Sequence, residues 1–146
     1  MMQNDSLIQW PRQDGSRVPY GVFTRADVFA REQERIFRGP IWHYLCLEAE
    51  IPEPGDYRTS FIGETPIIAV RDGEGRINAM VNRCAHKGAL LCIEPCGKRK
   101  EFACVYHAWT YNLQGDLTSV AFQRGLAGAG GMPPDFDLRQ HGLQRV

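Results

Sequence analysis

The sequence lacks an excess of charge of either sign. Among its 146 residues, 17 Lys and Arg balance 17 Asp and Glu, and the two signs are interspersed along the chain. A surface that binds nucleic acid or an anionic membrane normally carries a basic excess. We therefore expect neither nucleic acid nor a membrane among the partners of this chain.

Long hydrophobic runs are also missing. No segment approaches the roughly 18 consecutive apolar residues of a membrane-spanning helix, and the N-terminal residues alternate polar and apolar types instead of forming a signal-peptide core. The five cysteines are odd in number, and without an export signal their thiols are expected to stay reduced. These absences predict a cytoplasmic protein whose cysteines serve as ligands or packing residues.

Composition and turn signals divide the chain into three segments. Residues 1–40 are predicted to form an extended arm followed by a helix. Residues 41–121 contain short apolar runs separated by turn sequences, which is typical of an antiparallel β domain. Residues 122–146 contain a glycine-rich loop and stop without a cap or a polar tail, so we interpret them as the start of a segment that is cut off.

The helix is predicted near residues 25–38. Thr24 and Asp27 resemble a capping box at its start, and Gly39 with Pro40 ends the apolar face.

Short strands are predicted between the turns of the middle segment. The first run, residues 41–47, alternates in a way that leaves both faces apolar, which favours a buried strand. The later runs are Thr59–Ile62, Pro66–Arg71, Arg76–Asn82, Phe102–Cys104 and Thr110–Leu113.

Two motifs combine one cysteine with one histidine. Residues 84–86 read Cys-Ala-His, residues 104–107 read Cys-Val-Tyr-His, and seventeen residues separate His86 from Cys104. A zinc finger with two cysteines and two histidines pairs its cysteines and places its histidines on a helix. Mixed half-sites at two hairpin tips instead suit a [2Fe–2S] cluster that takes two thiolates on one iron and two imidazoles on the other. The predicted ligands are Cys84, His86, Cys104 and His107.

The motifs and the Ala108–Tyr111 run that follows them resemble the Rieske iron–sulfur domain of the large subunits of aromatic-ring-hydroxylating oxygenases. Leu113–Asp116 and Gly131–Phe136 are similar to the branch of salicylate, anthranilate and benzoate oxygenases. The resemblance implies a mainly β fold, a Rieske-type antiparallel β-sandwich with two cluster-binding hairpin loops behind the N-terminal arm and helix. Lys87, Val105 and Ala108 depart from the family's usual residues, and none is a predicted ligand.

The resemblance also implies electron transfer without a catalytic residue in this chain. In the family, single electrons pass from a ferredoxin or reductase to a mononuclear iron in an oxygenase catalytic domain. We expect that iron only in a domain that this chain lacks, in the same or a neighbouring subunit. The branch resemblance implies an aromatic carboxylate as the substrate. His43 and His141 have no partner at metal-ligand spacing and are predicted to be structural or solvated.

Two other functions stay open at this point. A free-standing Rieske-type ferredoxin would need the same motifs, but a carrier has no need of the helical arm or of the tail after Gly131. A structural zinc module is the other alternative. Cys92 and Cys96 could also join Cys84 and Cys104 as a four-thiolate site, but the two motif histidines would then be unused. Colour separates the metals, because an iron–sulfur protein is brown and a zinc protein is colourless.

Several residues near the motifs are assigned supporting roles. The Tyr106 hydroxyl and the loop amides are predicted to donate hydrogen bonds to the sulfurs, and Trp109 is predicted to shield the cluster from water. Cys46, Cys92 and Cys96 are predicted to be packing residues.

Overall fold

The computed structural model describes residues 8–10 and 14–146 and divides the chain into two compact units, one up to His43 and one from Tyr44 to Val146. Part of the predicted arm, residues 1–7 and 11–13, lies outside the described residues. None of the helices in the described part of the chain has the length and apolar character needed to cross a membrane.

The N-terminal unit contains the predicted helix as two consecutive pieces, with a shorter helix before it. The α-helices are α1, Gly21–Thr24, and α2, Ala26–Glu32, and a π-helical turn, Gln33–Phe37, continues α2. Gly39 lies after the last turn, where a Cβ atom would stand 2.1 Å from the Arg35 carbonyl oxygen. The helix therefore ends at a position that only glycine fits.

The predicted cap of this helix is wrong. Arg25 is the N-cap residue of α2, and the Thr24 hydroxyl instead donates to the Tyr20 carbonyl oxygen at 3.2 Å. Asp27 pairs with Arg25 rather than reaching back to a backbone amide of residue 24. Because α1 precedes the break, Thr24 belongs to an earlier turn and bonds backwards within it.

The strand predicted over residues 41–47 is also wrong. Residues 42–47 have no regular secondary structure, and no strand of the described chain pairs with them. Trp42 is fully exposed and Tyr44 is 72% exposed. Alternating apolar residues form a strand only when a neighbouring strand takes up their backbone hydrogen bonds, and here a 3-10 helix, Glu48–Glu50, follows instead.

The second unit begins with a four-stranded antiparallel sheet. Its strands are β1, Asp56–Ile62, β2, Thr65–Arg71, β3, Ile77–Val81, and β4, Cys96–Lys98, in the order β3-β2-β1-β4. β2 lies inside the sheet and buries five consecutive residues, as its continuous apolar run requires. The sequence predicted β1, β2 and β3 but missed β4, whose three residues are all exposed.

A three-stranded antiparallel sheet carries the second motif. Its strands are β5, Phe102–Ala103, β6, Thr110–Tyr111, and β7, Leu117–Ser119, in the order β5-β6-β7. Both sheets contribute to one core, with Ile68 and Val70 from the first and Tyr111 from the second among its buried members. The expected mainly β, antiparallel fold is thereby confirmed.

A buried carboxylate, Asp72, ties the β2–β3 turn to the second sheet. Its oxygens accept hydrogen bonds from the backbone N–H groups of Glu74 and Arg76 at 2.9 Å, and from the side chains of Asn78 and Gln114 at 3.1 and 3.0 Å. Burial acts to raise the pKa of Asp72, but these hydrogen bonds outweigh it and hold the pKa well below its usual range. The ionised carboxylate is therefore the form that the folded chain stabilises.

We expect Asp72→Asn to destabilise the fold by about 2–3 kcal/mol at pH 7, because the new amide turns a donor toward groups that already donate. The pKa in the folded state lies below the unfolded value of about 3.9, so this stabilisation is present above that pH and is lost as the pH falls through the folded pKa. Urea unfolding should accordingly give a difference between wild type and variant that shrinks below about pH 4.

Glu74→Gln serves as the control, since Glu74 lies in the same turn with its side chain 69% exposed. Its effect should stay within about 0.5 kcal/mol. Equal stability of Asp72→Asn and wild type at pH 7 would contradict the role given to Asp72.

Candidate metal centre

The first motif lies on the loop that follows β3. Backbone hydrogen bonds within this loop form a turn that begins at Cys84. The Cys84 N–H donates to the Ala89 carbonyl oxygen at 2.8 Å, and the Gly88 N–H donates to the Cys84 carbonyl oxygen at 2.8 Å. Gly88 has φ +71, a left-handed conformation that glycine adopts without a Cβ penalty. The loop therefore presents Cys84 at its base and His86 at its turn.

The second motif repeats this pattern between β5 and β6. The Cys104 N–H donates to the Trp109 carbonyl oxygen at 2.8 Å, and the Ala108 N–H donates to the Cys104 carbonyl oxygen at 2.9 Å. Ala108 takes the left-handed position with φ 50, where the first loop has glycine. The two loops thus share one backbone design, and each holds a cysteine at the same place in its turn.

The loops bury both predicted thiols in one core and bring the two predicted imidazoles together. Cys84 and Cys104 are buried at 3% and 4% exposure. The rings of His86 and His107 lie 4.7 Å apart between centroids and are inclined at 68°. The Nδ1 atom of His107 is buried and has no hydrogen-bond partner within the described part of the chain. Such an atom needs a partner, and a metal is one that an imidazole nitrogen can take.

Tyr111, on β6, supplies a hydroxyl to the first loop. Its oxygen accepts the Ala85 N–H at 3.0 Å and lies 3.2 Å from the Cys84 Sγ atom. Because that oxygen already accepts from Ala85, its own proton is available to the sulfur. Burial, together with the hydrogen bond to Cys84, raises the pKa of Tyr111 well above its ordinary value. The hydroxyl therefore keeps its proton and remains a donor.

Tyr106, the donor predicted from the sequence, lies beside the other motif, and its role as a donor stays a prediction. The Tyr106 ring stacks on His107 with 3.9 Å between centroids, and the residue is 65% exposed. Tyr111 lies two residues beyond buried Trp109, so the period of two along β6 was a signal that could have identified it.

Trp109 stacks on the other imidazole, and its predicted shielding of the cluster from water stays a prediction. Its indole is 4% exposed and stacks on His86, with 4.8 Å between centroids and 6° between planes. Burial, with smaller contributions from the charges of His107 and Lys87, lowers the pKa of His86. The neutral form of His86, which is the form that binds metal, is thereby favoured.

The Asn82 side chain holds the end of the first loop by hydrogen bonds, a role that the sequence analysis did not predict. Its side chain is buried, and its Oδ1 atom accepts the backbone N–H groups of Leu91 and Cys92 at 3.0 Å. Its Nδ2 atom donates to the Cys92 carbonyl oxygen at 2.7 Å. One side chain therefore ties the end of the ligand loop to the strand from which the loop starts.

The remaining cysteines occupy three different environments. Cys92 packs in the core, as predicted, and burial raises the pKa of its thiol to about 11. Cys46 is half-buried. Cys96 is exposed on β4, so its prediction as a packing residue is wrong, because β4 forms the edge of the sheet and leaves its side chains outside.

A search of residues 8–10 and 14–146 finds no group of three His, Cys, Asp or Glu side chains that could hold one metal ion. A Rieske cluster takes only two protein ligands on each iron. Two buried thiols and two adjacent imidazoles supply that number of side chains.

Comparisons with known proteins point to one family. Residues 41–129 match the model of the Rieske [2Fe–2S] domain. The chain is 53% identical over 142 residues to the alpha 2 subunit of the terminal oxygenase component of terephthalate 1,2-dioxygenase from Comamonas sp, a match covering 97% of this chain and 34% of that protein. It is 50% identical over 141 residues to the large subunit of anthranilate 1,2-dioxygenase from Burkholderia cepacia, covering 97% and 33%.

A solved structure agrees with these matches. Naphthalene 1,2-dioxygenase from Rhodococcus sp. bound to indole aligns with a TM-score of 0.76 at 34% identity, over 88% of this chain and 28% of that one. The chain thus spans about a third of the length of the curated relatives it matches.

We expect Asn82→Ala to destabilise the fold by about 1–3 kcal/mol, because two buried amides and one carbonyl lose their partner. Hydrogen exchange should locate the damage at the Leu91 and Cys92 amides.

Asn112→Ala is the matched control. Asn112 also accepts two backbone N–H groups, those of Gln114 and Asp116, and donates one side-chain hydrogen bond, but it does so in the β6–β7 turn. This control should leave the Leu91 and Cys92 amides protected. Unchanged protection of those amides in Asn82→Ala would contradict the role of Asn82 in holding the end of the first loop.

Proposed function

Because the chain belongs to the Rieske [2Fe–2S] domain family, we propose that it is the electron-transfer domain of an aromatic-ring-hydroxylating oxygenase alpha subunit. The observation that carries this proposal is the pair of like-built loops, each with one cysteine in its turn, which bring the ring centroids of His86 and His107 to 4.7 Å from each other. A [2Fe–2S] cluster held there accepts and releases one electron at a time.

We propose that Cys84 and Cys104 bind one iron and that His86 and His107 bind the other. The equivalent position of the two buried cysteines in two like-built loops supports this assignment. The buried Nδ1 atom of His107, which has no hydrogen-bond partner among the residues that the structure describes, supports it independently. Cys84 also has a hydroxyl donor at Tyr111, the kind of neighbour that stabilises charge on a sulfur ligand.

The ligand set decides how readily the centre takes an electron. With two thiolates and two neutral imidazoles, the reduced centre carries less negative charge than one with four thiolates, so reduction is less unfavourable. The thiols are buried, whereas His86 and His107 are only half-buried. Electrons should therefore enter and leave by the imidazole side.

The partners follow from this role. The donor is a ferredoxin or reductase, and the acceptor is the mononuclear iron of an oxygenase catalytic domain or of a neighbouring subunit. An aromatic carboxylate is the substrate class we propose for the whole enzyme, since relatives named for terephthalate and anthranilate act on such compounds. The cytoplasm, which keeps thiols reduced, is the proposed compartment.

The two alternatives are less well supported. A free-standing ferredoxin is not favoured, because the likeness to oxygenase subunits extends over 97% of the chain and includes the N-terminal helix. A structural zinc module is not favoured either, because the matching family is an iron–sulfur family.

We expect the purified chain, reconstituted with iron and sulfide, to bind about two of each and to show the visible and EPR spectra of a Rieske cluster. Cys104→Ala should lose the cluster, because one iron then loses half of its protein ligands. Cys96→Ala is the control, since that thiol is exposed on β4, and it should keep the full metal content. An unchanged spectrum for Cys104→Ala would overturn the ligand assignment.

Replacing a neutral ligand with an anionic one should make reduction harder. We expect His107→Cys to lower the reduction potential if it retains a cluster, because the third thiolate adds negative charge. Protein-film voltammetry measures the shift, and a potential equal to or above that of wild type would count against His107 as a ligand.

Removing the hydroxyl of Tyr111 should also lower the potential. A hydrogen bond to the Cys84 sulfur that strengthens on reduction by about 1 kcal/mol corresponds to about 40 mV for a one-electron couple. Tyr106→Phe is the control, since that side chain is exposed and contacts His107 through its ring. Equal potentials for Tyr111→Phe and Tyr106→Phe would exclude the proposed donor.

A further inference from the structure

The segment after residue 129, beyond the residues that match the family model, packs on the candidate centre. Near its end, the Leu143 N–H donates to the Gly115 carbonyl oxygen at 2.7 Å, and the Val81 N–H donates to the Gln144 carbonyl oxygen at 2.8 Å. These bonds attach the segment to the β6–β7 turn and to β3. The segment is therefore held against both sheets.

Two aromatic side chains of this segment contact Trp109. Phe136 and His141 stack on each other, with 4.6 Å between centroids and 11° between planes. Both meet the Trp109 indole edge to face, at 5.7 and 5.8 Å. Since Trp109 is itself stacked on His86 at 4.8 Å, packed rings lead from the segment to a proposed ligand.

The two imidazoles are covered very differently. The face of His86 is covered by Trp109, which is 4% exposed, whereas His107 is covered by Tyr106, which is 65% exposed. The segment thus packs against the buried ring that stacks on one imidazole, whereas the ring that stacks on the other imidazole is largely exposed.

We propose that Phe136 and His141 are positioning residues for His86 that act through Trp109. They hold the indole flat against the imidazole, which fixes the plane of the His86 ring and keeps water away from that face. This inference rests on the proposed ligand role of His86.

The packing has a consequence for the reduction potential. If either ring is removed, Trp109 loses one of its two edge contacts and can tilt away, so water reaches His86. Solvent access around a metal site alters its redox potential. Because the reduced centre carries one more negative charge, water stabilises it more than the oxidised centre, and the potential should rise.

The test uses the full chain with its cluster reconstituted. Phe136→Ala and His141→Ala should both raise the potential measured by voltammetry and change the nitrogen couplings of the reduced cluster measured by ENDOR. Phe122→Ala is the matched control, because this aromatic residue lies in the same part of the chain but is 72% exposed. His141→Phe keeps a ring at the position without a titratable group, so it should restore the wild-type potential and couplings.

A second background tests whether the effect passes through Trp109. In Trp109→Leu, adding Phe136→Ala should produce no further shift, because the ring that transmits the effect is already gone. If Phe136→Ala does not fold, Phe136→Leu keeps most of the volume but loses the flat ring, and it carries the same expectations.

The outcomes separate this inference from the function on which it rests. A wild-type chain without a histidine-ligated cluster would overturn the proposed function. A normal wild-type cluster whose potential and couplings do not move in Phe136→Ala and His141→Ala would overturn only the positioning role, even if both variants are less stable. An equal shift in the Trp109→Leu background would overturn the route through Trp109.

Discussion

The hydrogen-bonded turn around each motif cysteine is the constraint on which the rest of the site depends. In both loops the cysteine N–H and carbonyl oxygen are bonded within the loop, to Ala89 and Gly88 in the first and to Trp109 and Ala108 in the second. Each turn needs one left-handed residue, which explains the glycine in the first loop and the strained alanine in the second. These paired turns place two thiols in the core and leave two imidazoles at the edge.

The surroundings of the turns combine polar clamps with aromatic cover. Asn82 closes the first loop with three hydrogen bonds, and the Tyr111 hydroxyl bridges that loop to the second sheet. Asp72 performs a similar task away from the centre, where it joins the β2–β3 turn to Gln114. Each of these side chains is buried and makes several bonds, which is the condition under which a buried polar group stabilises a fold.

The features that were predicted correctly are those that depend on residues close together in the sequence. The hairpins built from β1, β2 and β3 follow from their turns and from the short apolar runs between them. The mixed Cys/His motifs point to the iron–sulfur family that the comparisons confirm. The same reasoning failed at residues 41–47, where alternation exists without a partner strand, and at Thr24, which belongs to an earlier turn. The ligand assignment itself stays a prediction.

The sequence by itself determined the family, the antiparallel class and the candidate ligands, because motif spacing and strand period involve residues that are close along the chain. Tertiary structure alone decided which groups surround those ligands. Tyr111 reaches Cys84 from 27 positions away, and Phe136 meets Trp109 only because the last residues bond to both sheets. The period of two along β6 indicates that Tyr111 is buried, but which groups Tyr111 and Phe136 contact depends on how the two sheets and the last residues pack together.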